Sequence, residues 1–120
     1  MGYRSDVTLV FYTRRPEEVP FSAIKFWFEE NYPKHDFCEV EFGDDYVRVD
    51  YQDVKWYTLY PEVIAAEEAI KKFTETFEAD DKDNVAYEYV RIGENTEDVE
   101  EDRSEYSDYQ LGVERKIYFR

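Results

Sequence analysis

Apolar side chains recur along this chain with two periods, and the switches between them divide it into elements. Val7 to Tyr12 is a β-branched and aromatic run, apolar or small on both faces: Val7, Leu9 and Phe11 against Thr8, Val10 and Tyr12. Such a run predicts a strand in the interior of a sheet rather than at its edge. Pro16-Glu17-Glu18-Val19-Pro20 then reads as the opening of a helix, with proline tolerated in a first turn and acids facing the positive end of the dipole. Phe21, Ile24 and Phe28 follow at helical spacing, with Trp27 beside them, and Asn31-Tyr32-Pro33 ends the helix.

The period next shortens to two. Cys38, Val40 and Phe42 alternate with Glu39 and Glu41. Gly43-Asp44-Asp45 turns the chain, and Val47, Val49 and Tyr51 alternate with Arg48 and Asp50, with pairing expected to extend through Val54 to Tyr57. This is a hairpin. From Pro61, the residues Val63, Ala66, Ile70, Phe73 and Phe77 step by three and four, an amphipathic helix of about four turns. Asp80 to Asn84 is a polar linker, Val85 to Ile92 a further strand ended by Gly93, and Val113, Ile117 and Phe119 a last strand. Between these two strands lies an acidic excursion, residues 94–110. The order β-α-β-β-α-β, then an acidic loop, then β, predicts an α+β fold of the ferredoxin-like kind. In that arrangement an antiparallel sheet carries two helices on one face, and a C-terminal strand is appended here.

Composition is consistent with one domain over residues 1–120. The chain is 42% hydrophobic, with 12 Tyr, 9 Phe and 2 Trp, so its charge does not imply disorder. A chain of this length buries roughly two-thirds of its unfolded surface and needs no disulfide or metal to do so. Cys38 is the single cysteine, which fits a reducing cytoplasm. The N-terminal residues do not form a signal peptide, and no run approaches the roughly 20 apolar residues of a membrane span.

Charge changes the picture more than any motif does. Thirty acids against 15 bases give a net charge of -15, beyond the magnitude of roughly 2–8 that keeps a small domain soluble. That sign opposes direct nucleic-acid binding and an anionic membrane surface. It points to basic proteins or cations as the natural partners, a protein that handles nucleic acid among them. The acids cluster. Residues 94–108 hold eight acids and one base, and residues 36–53 hold seven acids and one base. A third group, Glu75, Glu78, Asp80, Asp81 and Asp83, surrounds Lys82. The residues expected to contact a partner are therefore Glu39, Glu41, Asp44, Asp45 and Asp50 from the hairpin. From the excursion they are Glu94, Glu97, Asp98, Glu100, Glu101, Asp102, Glu105, Tyr106 and Asp108, with Tyr106 and Tyr109 as exposed aromatic anchors.

Catalytic chemistry finds little support. The only histidine, His35, is three residues from Cys38, but strand geometry need not join them, and Cys38 sits on an apolar strand face. One Cys and one His cannot close a zinc site. The stretch from Asp80 lacks the glycine and the terminal glutamate of a calcium loop, and the four glycines are too scattered to cradle phosphate. No catalytic residue, metal or cofactor is expected. Two other readings remain open. One is self-association through a tyrosine face of Tyr87, Tyr89 and Tyr118, giving a homodimer. The other is a small-ligand pocket lined by Trp27, Phe28, Trp56 and Tyr57.

The opening Met1-Gly2-Tyr3-Arg4-Ser5-Asp6-Val7, together with Tyr89-Val90-Arg91-Ile92-Gly93-Glu94 and the closing Arg115-Lys116-Ile117 strand, resembles small uncharacterised acidic proteins of bacteriophages and their hosts. The likeness covers the two ends better than the middle. Small phage proteins of this size and acidity are often inhibitors of host enzymes or of host defence, and several mimic DNA. The resemblance thus implies an inhibitor acting in the host cytoplasm. It assigns no role to any residue.

Overall fold

The computed structural model describes residues 3–32, 38–81, 83–95, 97–113 and 117–119, with residues 78–81 and 118 described in their backbone only. His35, Lys82 and the Arg115-Lys116 pair lie outside the described residues, as do the side chains of Glu78, Asp80, Asp81 and Tyr118. Among the described residues the fold is α+β. Its strands β1 (Ser5–Thr13), β2 (Cys38–Phe42), β3 (Tyr46–Val54), β4 (Val85–Gly93) and β5 (Val99–Arg103) form an antiparallel sheet in the order β2-β3-β1-β4-β5, packed by two helices.

β1 (Ser5–Thr13) is interior, as its two apolar faces require, pairing antiparallel with β3 (Tyr46–Val54) and β4 (Val85–Gly93). Its odd positions Val7, Leu9 and Phe11 enter the main core with Val47, Val49 and Tyr51 of β3 and Val85 and Tyr89 of β4. Helices α1 (Phe21–Asn31) and α2 (Pro61–Asp81) close this core from the same side with Ile24, Trp27, Phe28, Ala66, Ala69, Phe73 and Phe77. Phe11 is its centre: its ring lies 5.0 Å from that of Trp27 and 4.8 Å from that of Phe73.

Several boundaries differ from the sequence reading, each for a local reason. Residues 16–19 form a turn, and α1 begins only at Phe21, with Pro20 as an extended N-cap. Proline disfavours the helical region for the residue before it, and Glu17 and Glu18 lie in the turn ahead of the helix. β3 stops at Val54 rather than continuing to Tyr57. Asp53 adopts φ 51°, a left-handed conformation that breaks the ladder at an irregularity in its pairing with β1. Helix α2 continues through Asp81, so the first two residues of the expected polar linker, Asp80 and Asp81, are helical, while Asp83 and Asn84 form a turn.

The largest difference is in the acidic excursion. Val99–Arg103 is a strand, β5, paired to β4 along Glu88↔Arg103, Val90↔Glu101 and Ile92↔Val99. Pairing with a buried neighbour supplies the backbone bonds that side-chain polarity alone would not predict. Nor does the C-terminal part form one strand. β6 (Leu111–Val113) and β7 (Ile117–Phe119) form a separate antiparallel pair. This pair covers part of the sheet face opposite the helices. There Val10, Tyr12, Ala86, Val90, Ile92 and Leu111 make a second core, with Tyr46, Val113, Ile117 and Phe119 packed against it.

Candidate acidic interface

The even positions of β4 explain how the acidic segment is held. Glu88 points into the second core and is fully buried. Its Oε1 accepts from the Leu111 N–H at 3.0 Å and from Arg103 Nε at 3.2 Å. Its Oε2 accepts from the Tyr12 hydroxyl and the Gln110 N–H, both at 2.8 Å. Burial pushes the Glu88 carboxyl up. The Leu111 and Gln110 N–H groups, with the Tyr12 and Ser107 hydroxyls, outweigh it and hold the group below the usual carboxylate range. Arg103 extends the network, donating to the Leu111 carbonyl at 2.7 Å and to Glu101 at 2.8 Å. The same Tyr12 hydroxyl accepts from the Asp108 N–H at 2.6 Å, and burial, together with the Glu88 carboxylate, raises its pKa. One buried carboxylate thus ties β4 to β5, to the 104–110 loop and to β6. Sequence reading missed it because a glutamate between two tyrosines carries no mark of burial.

A second anchor holds the start of the excursion. Arg91 forks onto Asp98, at 2.8 and 3.2 Å, and Asp98 also accepts from the Tyr3 hydroxyl at 2.6 Å. The Arg91 guanidinium and the Tyr3 hydroxyl hold the Asp98 carboxyl below its ordinary range. Gly93 permits this approach, because a Cβ there would collide with the Asp98 carboxylate and the Tyr3 hydroxyl.

The predicted contact residues fall into two sets that the sheet keeps apart. Glu39 and Glu41 lie on β2 (Cys38–Phe42), at one edge, with Asp44 and Asp45 in its turn. Glu100, Glu101 and Asp102 lie on β5 at the other edge. Four interstrand spacings separate these edges, roughly 19 Å. Register places Glu39 opposite Asp50, Asp50 opposite Thr8, Thr8 opposite Val90 and Val90 opposite Glu101, so one rung across the helix-free face ends in an acid on both sides. Asp50 in the middle is committed internally, accepting from Arg48 at 2.7 Å and from Thr8 at 2.6 Å.

At the β5 edge, Glu94, Glu97, Glu100, Glu101, Asp102 and Glu105 are exposed. Asp98 is the structural exception just described, and Asp108 pairs with Arg14 at 3.3 Å. Tyr109 is 60% exposed and sits under the Arg103 guanidinium at 4.8 Å. Tyr106, expected to be exposed, is half-buried, with Arg14 over its ring at 5.9 Å.

Two further expectations are corrected by position. Tyr89 is not on an open face: it is buried on the helix side of β4, where Trp56 Nε1 donates to its hydroxyl at 2.9 Å. Tyr87 shares that side of the strand and donates to Asp102 at 3.1 Å. Burial and the Asp102 carboxylate push its phenol up to about 12. Of the four aromatics expected to line a pocket, Trp27 and Phe28 are packed core residues and Tyr57 is exposed. Trp56 borders a cavity of about 180 Å³ between α2 and β4–β5. Among the described residues, no group of three or more His, Cys, Asp or Glu side chains is placed to hold a metal ion, and no helix is long and apolar enough to cross a membrane. Comparison with family models, curated protein sequences and solved structures finds no match for the chain.

Proposed function

We propose that this chain is an acidic protein-binding inhibitor without catalytic activity, of the phage accessory type. In this reading it occupies a basic, nucleic-acid-handling surface of a host protein in the host cytoplasm and presents carboxylates where that surface expects phosphates. The observation that carries the reading is the β5 edge. Glu100, Glu101 and Asp102 are consecutive, exposed and fixed on a strand. Successive strand side chains alternate, so Glu101 faces the helix-free side while Glu100 and Asp102 share the other face about 6.6 Å apart along the strand, close to two steps of the roughly 3.4 Å of axis per phosphate along one DNA strand. Glu94, Glu97 and Glu105 extend the negative potential beyond both ends of that strand.

The rigidity of the edge supports the same reading. Charges held by a buried carboxylate hub and a bidentate arginine lose little freedom on binding, which favours affinity. The hairpin acids at the opposite edge act in this reading as a long-range attractive field rather than as part of the same contact. We also read β1 to β4 with the two helices as a ferredoxin-like core, to which β5 adds an edge. The antiparallel order β2-β3-β1-β4 is the support for that assignment.

The test is capture from host lysate on the immobilised protein at roughly 20 mM and roughly 0.5 M salt, where screening lengths differ several-fold. Basic proteins should be retained at low salt, released at high salt and displaced by duplex DNA. Retention of no basic protein at low salt would sink the reading. Retention unaffected by DNA would remove the mimicry.

A further inference from the structure

The cavity of about 180 Å³ between α2 and β4–β5 has walls of three kinds. Trp56 and Tyr89 supply aromatic surface, Val63, Ala66 and Ile70 supply apolar surface, and Glu67, Glu100 and Asp102 bring carboxylates. The polar ends of the two aromatics are turned to each other, Trp56 Nε1 donating to the Tyr89 hydroxyl at 2.9 Å. The interior therefore offers π surface and negative charge and no cation among its described lining residues; Arg91 approaches Glu100 at 3.8 Å and the Tyr87 hydroxyl donates to Asp102 at 3.1 Å, while Glu67 completes the set. A larger cavity, about 210 Å³, between the second half of α2 and the 104–106 loop lacks this complementarity, because the Arg103 guanidinium is in its wall.

A ligand matching such walls has a slender apolar stem, a planar head and a positive charge. Guanidinium meets all three conditions. It stacks on aromatic faces and forks onto carboxylates, while its methylene stem lies along aliphatic walls. Glu100 and Asp102 belong to both the cavity and the β5 edge, so a chain lying along that edge meets two of the carboxylates that line the cavity. We propose that this cavity is an anchor pocket for an arginine side chain of the basic partner. The inference rests on the reading of the β5 edge given above and names the residue that the edge would seize.

Arginine is an anchor residue at protein interfaces, and a pocket that removes it from water concentrates binding energy at one point. Electrostatic capture by the rest of the edge would set the association rate, and the pocket would set the residence time.

The test uses the Trp27→Phe chain, in which Trp56 is the remaining tryptophan, titrated with hexa-arginine at roughly 20 mM salt. Trp56 emission reports occupancy of the pocket, and the anisotropy of labelled peptide reports binding anywhere. Saturable change in Trp56 emission is expected. It should be absent with the neutral hexa-citrulline isostere and weaker with hexalysine. Affinity should drop about tenfold or more in Glu67→Gln/Asp102→Asn, and less than threefold in Glu39→Gln/Glu41→Gln at the far edge, in proportion to lost contact rather than lost net charge. Peptide binding with unchanged Trp56 emission, or equal losses in the two double variants, overturns the pocket while the acidic-edge reading stands. An equal response to hexalysine overturns the assignment to guanidinium. No peptide binding at all overturns both.

Discussion

Replacing Glu88 with glutamine tests the hub that holds the acidic edge. The substitution keeps shape and volume, so it isolates charge and hydrogen-bonding capacity. In the native protein each carboxylate oxygen accepts two donors: Leu111 N–H and Arg103 Nε on one, Tyr12 hydroxyl and Gln110 N–H on the other. A glutamine side chain offers one oxygen and one NH2 group. Whichever way it is turned, two donors face a donor. The tyrosine hydroxyl can rotate away, but a backbone N–H cannot. Each buried donor left without a partner costs about 1–3 kcal/mol, and breaking a buried charge pair costs about 3–5 kcal/mol in all. Arg103, whose side chain is only 12% exposed, keeps its bonds to Glu101 and the Leu111 carbonyl, so the lower end, about 3 kcal/mol, applies to both losses together.

Domains of this kind are stable by about 5–15 kcal/mol, so Glu88→Gln should remove a large share. Its Tm should fall by roughly 10–20 °C. Amide exchange at Gln110 and Leu111 should accelerate more than exchange in β1. The pH dependence follows from the sign of the shift. The folded Glu88 pKa lies below its unfolded value of about 4.3, so its contribution is complete above that pH and is lost as pH falls through the folded pKa. The gap between native protein and variant should therefore be widest at neutral pH and shrink under acid. A variant within about 1 kcal/mol of the native protein at pH 7, or a gap that widens on acidification, would refute the assignment of Glu88 as an ionised hub.

Phe11→Ala opens the centre of the main core, and urea unfolding should show a loss of about 3–5 kcal/mol; a loss under 1 kcal/mol would mean that the aromatic cluster is loosely packed. Asp53 has φ 51°, so Asp53→Val should cost about 1–2 kcal/mol or more by thermal melting, whereas Asp53→Gly should stay near native. Glu39 lies directly opposite Asp50 in the hairpin register. Glu39→Lys should thus raise stability by about 0.2–1 kcal/mol at low salt, an effect that fades as salt is added.

The elements themselves were legible. Val7–Tyr12, the helix stripes of Ile24 and Phe28 and of Val63 to Phe77, and the hairpin about Gly43 follow from period and turn chemistry, which act over a few neighbouring residues. Net charge and its clustering were equally plain, since they need no geometry. The structure alone decided where the acids stand. Val99–Arg103 becomes a strand only because β4 presents an unpaired edge, and that edge places Glu100, Glu101 and Asp102 roughly 19 Å from Glu39 and Glu41. The role of Glu88 was hidden for the same reason. A glutamate in a strand looks solvated until Arg103, Tyr12 and the backbone of Leu111 converge on it, whereas Trp56, expected beside a pocket, does border one. Local sequence therefore set which segments pair or coil and how much charge the chain carries. Only long-range packing set which of those charges are structural and which face outward, because burial and partnership are properties of segments far apart in the chain.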